Sequence, residues 1–119
     1  MRKSAVATAF ALAAFACPAS AAELSGIYTV QGSCPAPNSA YRGSLSIQSQ
    51  GLFHTLTWQV GTETIVGRGM EHDGHMAIEF RFANGQTGLM DVTRTGRIWR
   101  GHWAVYGSDL LCIETWTPR

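Results

Sequence analysis

Residues 41–60, YRGSLSIQSQGLFHTLTWQV, consist of two alternating runs separated by Gln50-Gly51. Small or apolar side chains of the first run lie at every second position, at Tyr41, Gly43, Leu45 and Ile47. In the second run, every second side chain lies on one face, at Leu52, His54, Leu56, Trp58 and Val60. A period of two is typical of a β-strand that buries one face and exposes the other. The stretch therefore predicts a β-hairpin.

The same pattern continues on both sides of this hairpin. Turn signals recur about every eleven residues, which is the spacing of hairpin-linked strands. Asp73-Gly74 and Asn84-Gly85 each predict a two-residue type I′ turn, because both central residues of that turn need a positive φ. Eight strands result, at about residues 24–32, 41–50, 52–61, 62–71, 75–83, 86–94, 97–106 and 110–117.

An even number of meandering strands can close into a barrel, which removes the two unpaired edges of an open sheet. Cys34 lies just past the first predicted strand, and Cys112 lies near the start of the last. Closure would bring these positions together, and paired cysteines in a small exported domain favour a disulfide. The sequence therefore predicts an all-β fold, a single antiparallel eight-stranded up-and-down barrel with a Cys34–Cys112 bridge.

The N-terminal segment has the pattern of a secretory signal peptide. Arg2 and Lys3 precede an apolar run over 5–16, and a small-x-small cleavage signal lies at 19–21. We expect a signal peptide at 1–22, a barrel domain at 23–119, and a periplasmic or secreted protein. A lipidated cysteine usually has an aliphatic residue three positions before it, but Ala14 lies three positions before Cys17. We therefore expect Cys17 to be removed with the signal peptide, not lipidated.

Charge and motifs narrow the class of function. Without residues 1–22, seven arginines face eight acidic residues, a net charge of −1. Nucleic-acid binding usually needs a basic excess, so we expect no nucleic-acid partner. No apolar run is long enough for a membrane span. Catalytic and dinucleotide-binding motifs are absent, so we expect no enzyme activity and no cofactor. We also expect a monomer.

Nearly the whole 23–119 segment resembles a group of small exported proteobacterial β-meander proteins of uncharacterised role, some labelled fibronectin-binding. The resemblance is carried by Gly26-Ile27-Tyr28-Thr29-Val30-x-Gly32, Tyr41-x-Gly43-x-Leu45-x-Ile47, Leu56-Thr57-Trp58, Gly67-x-Gly69, Gly101-x-Trp103 and Glu114. The fibronectin label would imply surface adhesion. The cysteine pair departs from the usual pattern of the group.

The chain is also similar in architecture to lipocalin and avidin-like barrels. Their first strand carries Gly-x-aromatic, and a basic residue near the end of the last strand packs on that ring. Gly26, Tyr28 and Arg119 occupy the corresponding places, with Tyr where Trp is usual.

One metal site and one ligand site are candidates. His72 and His75 flank a two-residue turn, so they would face each other and could share zinc or copper, although solvated flanks of a good turn are the simpler explanation. The candidate ligand-binding residues are Tyr28, His54, Trp58, Trp99, Trp103 and Glu114. His54 should point inward with Trp58, whereas Glu114 either points inward or lies outside beside an arginine.

Three functions are open at this level. The first is a non-catalytic exported binding module for a protein, an envelope component or a small apolar ligand, recognised through the barrel mouth and the 34–40 loop. The second is an inhibitor of an exported hydrolase, and the third is a structural or stress-related envelope protein.

Overall fold

The computed structural model describes residues 24–119. Its eight strands are β1 (Gly26–Ser33), β2 (Tyr41–Gln50), β3 (Phe53–Val60), β4 (Glu63–His72), β5 (His75–Arg81), β6 (Thr87–Thr95), β7 (Ile98–Val105) and β8 (Cys112–Pro118). Each strand pairs antiparallel with the next, and β8 pairs with β1, so the sheet closes into a barrel. The predicted fold is confirmed, and every strand end lies within two residues of its expected place.

The disulfide joins the two strands that close the barrel. Cys34 immediately follows β1 and Cys112 begins β8, and their Cα atoms are 4.2 Å apart. Ser33 pairs with Ile113 in the β1–β8 ladder, so the bridge lies at the end of that ladder. The predicted pairing is confirmed.

The two turns expected to be alike differ. Asp73 and Gly74 have φ angles of 52° and 77°, as a type I′ turn requires. At the second turn Gly85 has a φ of 94° while Asn84 stays out of the positive region, so the type I′ prediction is wrong there. Strand pairing ends at Arg81 and Thr87, which leaves a five-residue loop. That loop bonds Gly85 N to Phe82 O and Phe82 N to Gln86 O, as in a longer hairpin with a bulge.

The barrel has two ends that differ in their loops. At the terminal end lie Gly26, Pro118 and the short turns after β2, β4 and β6. At the disulfide end lie the 34–40 loop, the turn after β3, the 82–86 loop and the 106–111 loop. Among the described residues, no helix has the length and hydropathy of a membrane span.

The half of the lumen towards the terminal end, here called the filled half, is packed with buried side chains. An open depression lined by Tyr28, Trp99, Arg94, Arg97 and Arg119 lies at the terminal end itself. Trp116 is fully buried and packs against Tyr28, Trp58 and Trp99, with ring centroids 6.2, 6.3 and 6.0 Å away. Aliphatic side chains complete this core: Val30, Leu45, Ile47, Leu56, Met76, Ile78 and Val92. Such close packing holds the inward side chains of this core in fixed positions.

Candidate ligand-binding site

A cavity of about 190 Å³ occupies the half of the lumen towards the disulfide end. Five of the side chains that line it are aromatic: Tyr41, Trp58, Phe80, Phe82 and Trp103. The remaining lining residues are Val60, Glu63, Ile65, Met90 and Glu114. Glu63 is exposed and opens β4, which places it at the mouth. An apolar cavity with few polar groups is the usual form of a small-molecule site.

Glu114 is the polar centre of this cavity. Its side chain points inward and is only 4% exposed. Its Oε2 accepts hydrogen bonds from the indole Nε1 atoms of Trp58 at 2.9 Å and Trp116 at 2.7 Å. Its Oε1 accepts a bond from the hydroxyl of Tyr41 at 2.5 Å. The carboxylate is therefore satisfied by three donors, which is what a buried charged group requires.

The hydrogen bonds around Glu114 all run in one direction. Trp103 donates its Nε1–H to the Tyr41 hydroxyl at 2.8 Å. An indole N–H can only donate, so Tyr41 must accept there and direct its own proton elsewhere. That proton goes to Glu114. The chain from Trp103 through Tyr41 ends on the carboxylate, where the two other indoles also point.

Burial and hydrogen bonding act on Glu114 in opposite directions. Desolvation raises the pKa of its carboxyl group, while the bonds from Tyr41, Trp116 and Trp58 work against that rise. Burial also raises the pKa of Tyr41, and the neighbouring Glu114 raises it further. The Tyr41 hydroxyl therefore keeps its proton and serves as a donor at neutral pH.

Two glycines next to Glu114 make room for this arrangement. Gly32 on β1 and Gly101 on β7 are the residues paired with Glu114 on its two sides. A Cβ at Gly32 would lie 2.3 Å from the Tyr41 ring and 2.6 Å from the backbone oxygen of Ile113. A Cβ at Gly101 would lie 1.8 Å from the backbone oxygen of Asp91. Any larger residue at position 32 would displace the phenol that donates to Glu114.

The structure separates the predicted ligand-binding residues into two groups. Trp58, Trp103 and Glu114 meet at the cavity, so the inward alternative for Glu114 is the one observed. Tyr28 and Trp99 lie in the filled half of the lumen, where both also line the depression at the terminal end. Tyr28 donates to the backbone oxygen of Leu24 at 2.9 Å. Trp99 is 1% exposed.

His54 also lies away from the cavity, near the terminal end. It points inward as predicted and is 3% exposed. Its Nδ1 lies 2.8 Å from the hydroxyl of Ser49, which pairs with it across β2 and β3. Burial lowers the pKa of this imidazole, and the carboxylate of Glu71 opposes the change.

His72 and His75 face each other across the β4–β5 hairpin, as the sequence predicts. The His72 side chain is 89% exposed and lies 3.3 Å from the carboxylate of Asp73. His75 Nδ1 lies 3.2 Å from the Thr93 hydroxyl. Within residues 24–119, no group of three or more His, Cys, Asp or Glu side chains is placed to hold a metal. A shared metal here stays a prediction.

Sequence reasoning did not select Tyr41, Phe80 and Phe82 as ligand-binding residues. All three share the inward period of their strands, but that period also describes an ordinary core. Tyr41 carried one usable signal, since a tyrosine that starts an inward face near the mouth brings a polar hydroxyl into the lumen. Its partner Glu114 lies 73 residues away, and no local pattern connects them.

The barrel is similar to several solved structures. A de novo designed fluorescence-activating β-barrel aligns with a TM-score of 0.59 and 12% identity over 83% of this chain and 96% of that chain. The REP1-NXSQ fatty acid transporter aligns at 0.55 and 10% identity over 83% and 98%. Fatty-acid-binding protein 1 of Echinococcus granulosus aligns at 0.51 and 8% identity over 81% and 97%.

Identities this low show a shared fold alone. No protein-family model matches the chain, and no curated protein matches it.

Proposed function

We propose that this chain is a non-catalytic binding protein that holds one small, mainly apolar molecule in the cavity at the disulfide end. The cavity itself is the observation that carries the proposal. A fully packed core would bury Tyr41, Phe82, Trp103 and Val60 completely, yet all four are only partly buried around an open volume of about 190 Å³.

The size of the cavity limits the ligand. A dry apolar cavity of about 150 Å³ accommodates benzene, so about 190 Å³ suits one ring with a short substituent. Drug-sized sites are larger, at roughly 300–1,000 Å³. The similar barrels named for fatty acids and for fluorescence activation support a binding role through their shared architecture, although a long fatty acid would exceed this volume.

The proposal is tested by titrating single-ring molecules into the protein and following backbone, methyl and indole signals by NMR. We expect shifts at the indoles of Trp58 and Trp103 and at the Met90 methyl, because these line the cavity. The indole of Trp99 should move least, since it is buried in the filled half.

Ligand binding by two matched variants would test whether the binding site is the cavity. Val60→Phe fills the cavity from its wall and should abolish binding. Val66→Phe makes the same change on the outer face of β4, where the side chain is 47% exposed, and should leave binding intact. Equal binding by both variants, or shifts confined to the outer surface, would contradict the proposal.

We also propose that the protein is exported, with residues 1–22 removed as a signal peptide. The Cys34–Cys112 bridge supports this, because stable disulfides belong to oxidising compartments. The resemblance to exported proteobacterial proteins leads to the same expectation. Mass spectrometry of the protein from its native source should give an N-terminus near residue 23 and a mass lower than that of the reduced form by two hydrogen atoms. An intact Met1 would contradict cleavage.

A further inference from the structure

We infer that the cavity selects an organic cation: an ammonium group on a small apolar or aromatic body, with one N–H directed at Glu114. This inference rests on the proposed function, because it specifies the ligand class of the same site. Fatty-acid carboxylates, which two of the similar barrels are named for, are the class that it excludes.

The hydrogen bonds around Glu114 leave an acceptor position free but no donor. Two indole N–H groups occupy Oε2 of Glu114, and the Tyr41 hydroxyl occupies one position on Oε1. A carboxylate oxygen can accept two bonds, so Oε1 has one acceptor position left. Tyr41 already donates its single proton to Glu114. The polar centre can therefore accept from a ligand but has no proton to give it.

The charged side chains described around the cavity are both acidic. Among residues 24–119, those that line the cavity include two carboxylates, Glu114 at its depth and Glu63 at its mouth, and no arginine, lysine or histidine. An anionic ligand would meet like charge at both levels without a counter-ion. A cation would meet Glu63 on entry and Glu114 when bound, and such complementarity favours both encounter and selection.

The aromatic wall of the cavity suits a cation as well as an apolar body. Trp103 packs against Phe80 and Phe82, with ring centroids 5.7 and 6.4 Å away, and Tyr41 lies 6.3 Å from it. Aromatic rings attract a cation within about 6 Å through their quadrupole, and this attraction grows where water is excluded. The same rings contact an apolar body. One wall thus serves both parts of the ligand.

Glu114 is preorganised for a ligand by the fold itself. Glu114 loses its hydration when the protein folds, and three donors already fix its orientation. Binding therefore needs little further desolvation or ordering of the receptor, which are major opposing contributions in ligand association.

The test uses three ligands with the same phenylethyl body: 2-phenylethylammonium, the neutral 2-phenylethanol and the anionic 3-phenylpropanoate. The oxidised protein is titrated with each at neutral pH, where the ammonium is charged, and the NMR signals of Trp58 and Trp103 report the cavity. We expect the ammonium to bind at least about tenfold more tightly than the alcohol, since a charge-assisted bond is roughly twice as strong as a neutral one. The anion should bind weakest.

Matched variants assign the selectivity to Glu114. Glu114→Gln keeps an oxygen for the two indoles but removes the charge, so ammonium affinity should fall on the order of ten- to a hundredfold while alcohol affinity changes little. Glu79→Gln removes the same charge from the exposed outer face of β5 and should change neither. Glu63→Gln should weaken ammonium binding less than Glu114→Gln, because Glu63 is solvated.

The outcomes separate the two proposals. Equal cavity binding of all three ligands, or preference for the anion, would overturn the cation inference and leave the binding function standing. Failure of every ligand to shift the cavity signals would contradict both. The ligand series on the unaltered protein decides the question even if Glu114→Gln does not fold.

Discussion

Both halves of the barrel lumen are lined by tryptophans, but these side chains fill one half and border an open cavity in the other. Trp99 and Trp116 lie in the filled half and are at most 1% exposed. Trp103 lies in the cavity half on the same inward face of β7 as Trp99, but it is only partly buried and borders open volume. An eight-stranded barrel is just wide enough for its inward side chains to fill it. The first half follows that rule and supplies stability, whereas the second leaves an open cavity, which is the proposed binding site.

Removing one tryptophan from each half of the lumen should give the largest difference in the free energy of unfolding. Trp99→Ala should lower the free energy of unfolding by about 3–5 kcal/mol, because it opens a void in a close-packed core. Trp103→Ala should lower it by only about 1–2 kcal/mol, since the lost side chain already borders a cavity. Urea unfolding measures both. Equal losses would mean that the two halves do not differ in packing.

The disulfide lies at the cavity end, and its removal should be felt most there. Cys112→Ala should reduce the free energy of unfolding by about 2–4 kcal/mol, because the bridge closes a loop with a sequence separation of 78 residues. Hydrogen exchange should rise more in the 34–40 and 106–111 loops than at the turn after β6. Cys34→Ala is the matched control and should behave identically. An unchanged melting temperature under oxidising conditions would show that the bridge adds nothing.

Glu114 lies where the two halves meet, so its replacement tests both. Glu114→Leu leaves the indole N–H groups of Trp58 and Trp116 without an acceptor, and each such orphan costs about 1–3 kcal/mol. Glu114→Gln keeps an acceptor and should cost clearly less. Urea unfolding at neutral pH compares them. A leucine variant as stable as the glutamine variant would show that the network does not contribute to folding.

The smallest expected effect is a difference in pH dependence between the two ends. The pKa of Glu114 is raised by burial, so its stabilising contribution is complete below the ordinary glutamate pKa of about 4.3 and is lost as the pH rises through the folded value. Relative to wild type, Glu114→Gln should therefore gain stability as the pH rises from about 4.

His54 should show the opposite sign at the terminal end. Burial lowers its pKa, so its contribution is present above the ordinary histidine value of about 6.5 and is lost as the pH falls through the folded value. His54→Gln should reduce the loss of stability on mild acidification. Unfolding curves of both variants and wild type across roughly pH 4–8 would measure this, and matching pH profiles for all three would contradict it.

The sequence alone was enough to predict the strands, the spacing of the turns and the closure of the barrel. Alternation along residues 41–60 reflects a backbone property, because successive side chains of a strand point to opposite faces. The positions of Cys34 and Cys112 then selected a closed barrel from the other arrangements of eight strands. The Asn84-Gly85 turn was predicted incorrectly, because the length of the loop was set by where pairing of β5 and β6 ends rather than by the dipeptide.

Alternation also determined that Trp58, Trp99, Trp103 and His54 point inward, but not which of them lie at the same level. That level depends on the stagger between strands, which is a property of the closed sheet. Closure places Glu114 of β8 beside Tyr41 of β2 and Trp58 of β3, 73 and 56 residues away in the chain. The alternation in the sequence thus determined whether each side chain points inward or outward. The register of the closed sheet decided which inward side chains meet at the Glu114 carboxylate and which fill the core.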